Sequence, residues 1–132
     1  MALKTFAAIS IGSAVTEMKI FEFTSRRVMK EVDWISTRLG LGLDAYTMGR
    51  ISSRNVEELC RVLRDFARIM DGYKVNAYRA CATSAFRESR NMLILVDYIE
   101  KQTGLTIEVL SNSEQRFIDY QSIASVTTEF ES

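Results

Sequence analysis

In the first third of the chain, apolar positions come as short runs cut by polar turns. Thr5–Ile11 is a compact apolar run closed by Gly12-Ser13, and it predicts a buried strand ending in a tight turn. Val15–Phe23, rich in Ile and Phe, predicts a second strand. Thr24-Ser25-Arg26-Arg27 reads as a polar turn and Val28–Thr37 as a third strand. Strands joined by connections this short predict an antiparallel meander. Leu39-Gly40-Leu41-Gly42-Leu43 reads as a flexible apolar loop. Its glycines are either turn punctuation or room for a ligand to come close, and they lack the spacing of a dinucleotide fingerprint.

The period then changes from two to 3.6. Val56, Leu59, Cys60, Leu63, Phe66, Ala67 and Met70 recur on one face, predicting a helix capped by Ser52 or Ser53 and ending near Met70. Glu57 and Arg61 are spaced for an ion pair on its outer side, and Asp71-Gly72 supplies the stop. Tyr73–Cys81 reads as a fourth strand. Asn91 is placed to cap a second helix, with Met92, Leu95, Val96 and Ile99 buried and Gly104 ending it at Thr103. Thr106–Leu110 predicts a fifth strand, Ser111-Asn112-Ser113 a capping turn, and Glu114–Ala124 a third helix with Phe117, Tyr120 and Ala124 on one side. The order is βββαβαβα, an α/β domain over residues 1–125 followed by a polar tail, 126–132. The first, fourth and fifth strands can lie parallel through right-handed crossovers, with the second and third extending a mixed five-stranded sheet and the helices packed on it.

Composition narrows the chemistry. The chain has 132 residues, enough for one compact domain, and 17 basic against 17 acidic residues leave it neutral. No global charge draws it to DNA or to a membrane surface, and no run is apolar and long enough to span a bilayer. No signal peptide is evident at the N-terminus. Cys60 and Cys81 both read as small core residues of a reducing, cytoplasmic compartment. Histidine is absent from the sequence, which excludes Ser-His-Asp triads, Cys-His dyads and the common zinc sites.

In a sheet of this topology, ligands sit beyond the carboxyl ends of the parallel strands. Three turns meet there: Ser10–Ala14, Ala82–Arg87 and Ser111–Gln115, all rich in Gly, Ser, Thr or Asn. The central one opens from a strand through small and hydroxyl residues towards a helix, so that backbone N–H groups and a helix dipole face an anion. Arg87 is placed to grip the same anion as a bidentate fork. Each turn alone reads equally well as a plain strand-to-helix connection with a capping Ser or Thr. Their convergence is what points to phosphate.

Those turns resemble motifs of the Ppx/GppA phosphatases, which comprise exopolyphosphatases and guanosine pentaphosphate (pppGpp) phosphohydrolases. The first family motif, D-x-G-S-N-S, stands here as Ser10-Ile11-Gly12-Ser13-Ala14-Val15; the second, A-T-S-A-x-R-x-x-x-N, is matched from Ala82 through Asn91. The third, S-G-x-E-E-A-R after a strand, stands as Ser111 through Phe117. The resemblance implies an actin-like ATPase (ribonuclease H-like) domain, the N-terminal one of two that face each other across a phosphate-binding cleft. It implies polyphosphate or guanosine pentaphosphate as ligand, Mg²⁺ as cofactor, and Gly12, Ser13, Thr83, Ser84 and Arg87 as phosphate-binding residues. The family's second phosphate loop, D-I-G-G-G-S-T-E, would begin just after Ser132. The cleft wall is therefore expected to pair with a missing second domain or with a second copy of the chain as a homodimer.

Two departures bear on catalysis. The family's metal-site Asp aligns with Ser10, whose neutral hydroxyl is a poor substitute for a charged Mg²⁺ ligand. The family's catalytic Glu, the base towards the attacking water, aligns with Gln115, which cannot take a proton at neutral pH. Losing a general base costs roughly 10²–10⁴ in rate. Glu114 is one residue away and about 100° around a helix, so it is not a ready replacement. The expectation is the N-terminal domain of a phosphoanhydride hydrolase that is inactive alone; the alternative is a non-catalytic phosphate-binding or regulatory module, dimeric in form.

Overall fold

The fold is given by a computed structural model that describes residues 4–24 and 28–111. These residues form five strands and four helices: β1 (Lys4–Ile11), β2 (Val15–Phe23), β3 (Met29–Arg38), α1 (Leu41–Met48), α2 (Ser53–Tyr73), β4 (Ala77–Ala82), α3 (Ser84–Arg87), α4 (Met92–Thr103) and β5 (Ile107–Val109). The sheet order is β3-β2-β1-β4-β5. β1 pairs antiparallel with β2, and β2 with β3, whereas β1–β4 and β4–β5 are parallel. This is the mixed sheet expected from the run lengths. The predicted helix Glu114–Ala124, the tail, the domain boundary at 125 and the Arg26-Arg27 turn lie outside the described residues.

Alternation along the strands sends one set of side chains to each face. Ala7, Ile9 and Ile11 of β1, Met18 and Ile20 of β2 and Ala80 and Ala82 of β4 are all buried. They join one hydrophobic cluster with Val56, Leu59, Cys60, Leu63 and Phe66 of α2 and Leu95 and Ile99 of α4. Burying a Leu or Phe side chain contributes about 1.5–3 kcal/mol, so this stripe is what holds α2 on the sheet. Ser52 caps α2 as predicted, its side chain accepting from the Asn55 N–H. Gly104, left-handed at φ 76°, ends α4 as predicted.

Four local expectations are corrected. The strand expected at Tyr73–Cys81 starts only at Ala77, because α2 runs on through Gly72 to Tyr73. It stops at Lys74, which takes the left-handed conformation at φ 53° and donates its N–H back to Asp71 and Met70. Helix continuation is favoured there by Met70, still buried on the core face, and by Tyr73, whose hydroxyl donates to Asp33 of β3 at 2.8 Å. The Leu39–Leu43 loop turns helical at Leu41, where α1 starts, with Leu41 and Ala45 buried. Asn91 makes no side-chain cap to α4; it bonds Ser89 instead. Glu57 does not pair with Arg61: it accepts from Tyr98, and Arg61 turns to Glu58 at 2.9 Å and Asp65 at 3.8 Å.

Candidate phosphate-binding site

The register brings the ends of the three parallel strands into line. Ile11 pairs with Ala82, and Ala82 with Val109. The pairing continues one residue further: the Thr83 N–H donates to Ile11 O at 3.1 Å, and the Leu110 N–H to Ala82 O at 2.9 Å. Gly12, Thr83 and Leu110 therefore leave the sheet side by side, and the turns they open share one edge. Two of the three turns expected to meet here do so; the third, Ser111–Gln115, is described only at Ser111, and Glu114 and Gln115 lie outside the described residues.

The β1–β2 turn is closed by the Gly12 N–H donating to Val15 O at 2.9 Å. After β4, Thr83 precedes α3, a single helical turn. A helix this short carries little macrodipole, which corrects the expected dipole-facing helix start. Thr83 spends its hydroxyl on Ile11 O at 3.4 Å rather than on capping. Arg87 lies at the far end of α3, half-buried, with Nη1 donating to Leu110 O at 2.8 Å. That bond fixes the guanidinium at the end of β5. Its planar guanidinium fork has the geometry that suits an oxyanion.

Ser13 and Ser84, on different turns, meet directly: their Oγ atoms are 2.7 Å apart. A third hydroxyl completes the group. Tyr46 of α1 donates to Ser84 Oγ at 2.8 Å and lies 3.3 Å from Ser13 Oγ. The Ser13 and Ser84 hydrogen bonds hold its phenol below the ordinary tyrosine range; burial and Glu88 act the other way, and Arg87 assists. The sequence reading missed Tyr46 because it took the start of α1 for a loop. The signal was present: Gly42 and Tyr46 are one helical turn apart, on one face.

Gly42 explains how α1 gets so close. Its N–H donates to Ser13 O at 2.8 Å, and a Cβ there would sit 2.6 Å from Ser13 Cβ. The glycine admits a neighbouring backbone, not a ligand. At the other end of α1, Gly49 is left-handed at φ 71°. Arg90 holds that end, donating from Nη2 to Met48 O at 3.0 Å and from its backbone to Gly49 O at 2.8 Å. Beside Tyr46 lies an open cleft of about 460 Å³, lined by Ser13, Ala14, Arg38, Leu39, Leu43 and others.

Ser10 does not join this group. It alternates to the opposite sheet face from Ile9 and Ile11 and lines another depression with Phe6, Ala8, Glu17, Lys19, Arg79 and Cys81. Its cross-strand neighbour Glu17 accepts from Trp34 Nε1 at 2.9 Å. Mg²⁺ needs hard, charged oxygen ligands. A serine hydroxyl beside one already bonded carboxylate does not fit it, and among the described residues no three acidic, Cys or His side chains cluster.

The sequence matches the Ppx/GppA phosphatase family over residues 26–130. The chain belongs to the Ppx/GppA phosphatase family. The match includes the Ala82–Asn91 motif and begins beyond Ser10–Val15. The Aquifex aeolicus member of the Ppx/GppA family, in its crystal structure, superposes with a TM-score of 0.80 at 24% identity, over 84% of this chain and 36% of that one. An exopolyphosphatase-like protein gives 0.78 at 27% identity, over 88% and 35%. An exopolyphosphatase from Cytophaga hutchinsonii gives 0.78 at 24%, over 83% and 35%. The Ppx/GppA fold, actin-like and α/β, is thereby established for this chain, which spans about a third of the length of these relatives. No curated protein matches the sequence.

Proposed function

We propose that this chain forms one wall of a cleft that binds the phosphates of inorganic polyphosphate or guanosine pentaphosphate, as the N-terminal domain of a phosphoanhydride hydrolase. The observation that carries the reading is the meeting of Ser13 and Ser84, 2.7 Å apart, on the edge where Arg87 is anchored. Gly12 and Thr83 shape the same edge through their backbone bonds. A second domain or a second copy of the chain would close the cleft. With Ser10 at the family's Asp position and Gln115 at that of its catalytic Glu, the chain binds and does not hydrolyse on its own. A regulatory phosphate-binding module is the same chemistry without turnover, and those two substitutions favour it.

The test is calorimetric titration of the chain with inorganic tripolyphosphate, alongside Arg87→Ala and Arg87→Lys. The unaltered chain is expected to bind. Arg87→Ala should lose roughly tenfold or more, since hydrogen bonds to charged groups contribute about 1.5–3 kcal/mol. Arg87→Lys should recover only part, having charge without the planar fork. Equal affinity in all three, with melting temperatures unchanged, would sink the proposal.

A further inference from the structure

Tyr46 is the one member of the hydroxyl group that no motif supplies. It comes from α1, whereas Ser13 and Ser84 come from the turns after β1 and β4. Each of the three hydroxyls carries one proton and can accept as well. With edges of 2.7, 2.8 and 3.3 Å the three oxygens form a triangle in which they satisfy one another. The phenol is the most acidic of the three and hence the best donor. It is also reachable: Tyr46 is 59% exposed, at the rim of the open cleft. Its position is set by Gly42, whose backbone contact with Ser13 seats α1 one turn before the ring.

We propose that Tyr46 is a direct ligand of the bound phosphate. When the anion enters, the triangle opens, and the phenol, Ser13 and Ser84 all turn their protons to phosphate oxygen. No covalent step is involved. The proposal rests on the phosphate reading above and extends it to a residue on a separate element, with a terminal or bridging phosphate of a linear polyphosphate as the ligand class. The charged groups around the phenol are Arg87 and Glu88, from α3 and its C-terminal cap, and Arg38, which lines the cleft with it. Arg87 favours negative charge at the phenol, and Glu88 opposes it.

The experiment titrates inorganic tripolyphosphate into the unaltered chain, Tyr46→Phe and Arg87→Ala at neutral pH, then repeats the first two up to pH 10. Tyr46→Phe keeps the ring and removes only the oxygen. It should bind roughly tenfold more weakly at neutral pH with its melting temperature kept. Raising the pH turns the phenol into a repelling anion, so the unaltered chain should lose affinity more steeply than Tyr46→Phe; the probe's own ionisation is common to both. Equal or tighter binding by Tyr46→Phe, with Arg87→Ala still impaired, overturns the role of Tyr46 and leaves the phosphate reading standing. Weaker binding by Tyr46→Phe that keeps the full pH dependence also overturns it, as a merely structural effect. No binding by the unaltered chain overturns both.

Discussion

The carboxylate of Asp44 accepts from the Ser52 N–H at 3.0 Å, the Ser52 hydroxyl at 2.7 Å and Asn55 Nδ2 at 2.6 Å. Burial pushes its pKa up, but these bonds outweigh burial and the group ends below its ordinary value. The sign of the linkage follows. A carboxyl lowered in the folded state adds stability above its unfolded pKa, about 3.9, and loses that contribution as the pH falls through the lower folded value. Asp44→Asn is therefore expected to lower the urea midpoint at pH 7, with the two chains converging as the pH falls through that lowered value. Parallel midpoints across that range would show that the bonds carry no charge-linked stability. Ser52 as a cap was legible, because its partner Asn55 lies three residues on. Asp44 was not, because its partners lie eight and eleven residues away across a bend. Similarly, Glu57–Arg61 had the right spacing, but Tyr98 of α4 offered Glu57 a partner that no helical periodicity reveals.

Among the elements, α1 was the least legible. Two glycines in five residues argue for a loop, and intrinsic propensity is against a helix there. Tertiary contact overrides it: the helix forms because its first turn lies directly on Ser13. Gly42→Ala should therefore be destabilising by roughly 1–3 kcal/mol through forced overpacking. Gly40→Ala, with nothing within 4 Å of an added Cβ, should stay within about 1 kcal/mol of the unaltered chain. Urea denaturation of the pair checks this, and equal losses would mean that the contact with Ser13 gives way freely. The long amphipathic α2 was read correctly in its body, where seven apolar positions keep period. Its end was misplaced because Asp71-Gly72 looks like a stop, whereas a lysine supplies the left-handed turn two residues later.

For the whole molecule, topology was the most legible level. Run lengths and crossover rules point to a mixed sheet with β1, β4 and β5 parallel and β2 and β3 antiparallel on the other side, because parallel neighbours need a long connection and antiparallel ones do not; the observed order β3-β2-β1-β4-β5 is of this kind. The candidate site was legible as turns but not as geometry: Ser13, Ser84 and Arg87 were expected, Tyr46 was not, and Ser10 faces elsewhere. At this scale the prediction concerns turnover. With tripolyphosphate and Mg²⁺, the chain is expected to release no phosphate above background, and Gln115→Glu alone should not restore release, since the function proposed above has a second domain or a second copy close the cleft. Release by the unaltered chain would show that Gln115 is no obstacle.

The two ends of α1 have a mechanical consequence. Gly42 bears on Ser13, and Gly49 is gripped by Arg90, so the helix is a beam supported at both ends with Tyr46 near the middle of its span. Such a beam has no free hinge. A shift of the connection that carries Arg90 tilts the whole rod, and the phenol oxygen is displaced with it. Whatever touches the segment around Arg90 thus has leverage on the hydroxyl group without reaching into the cleft.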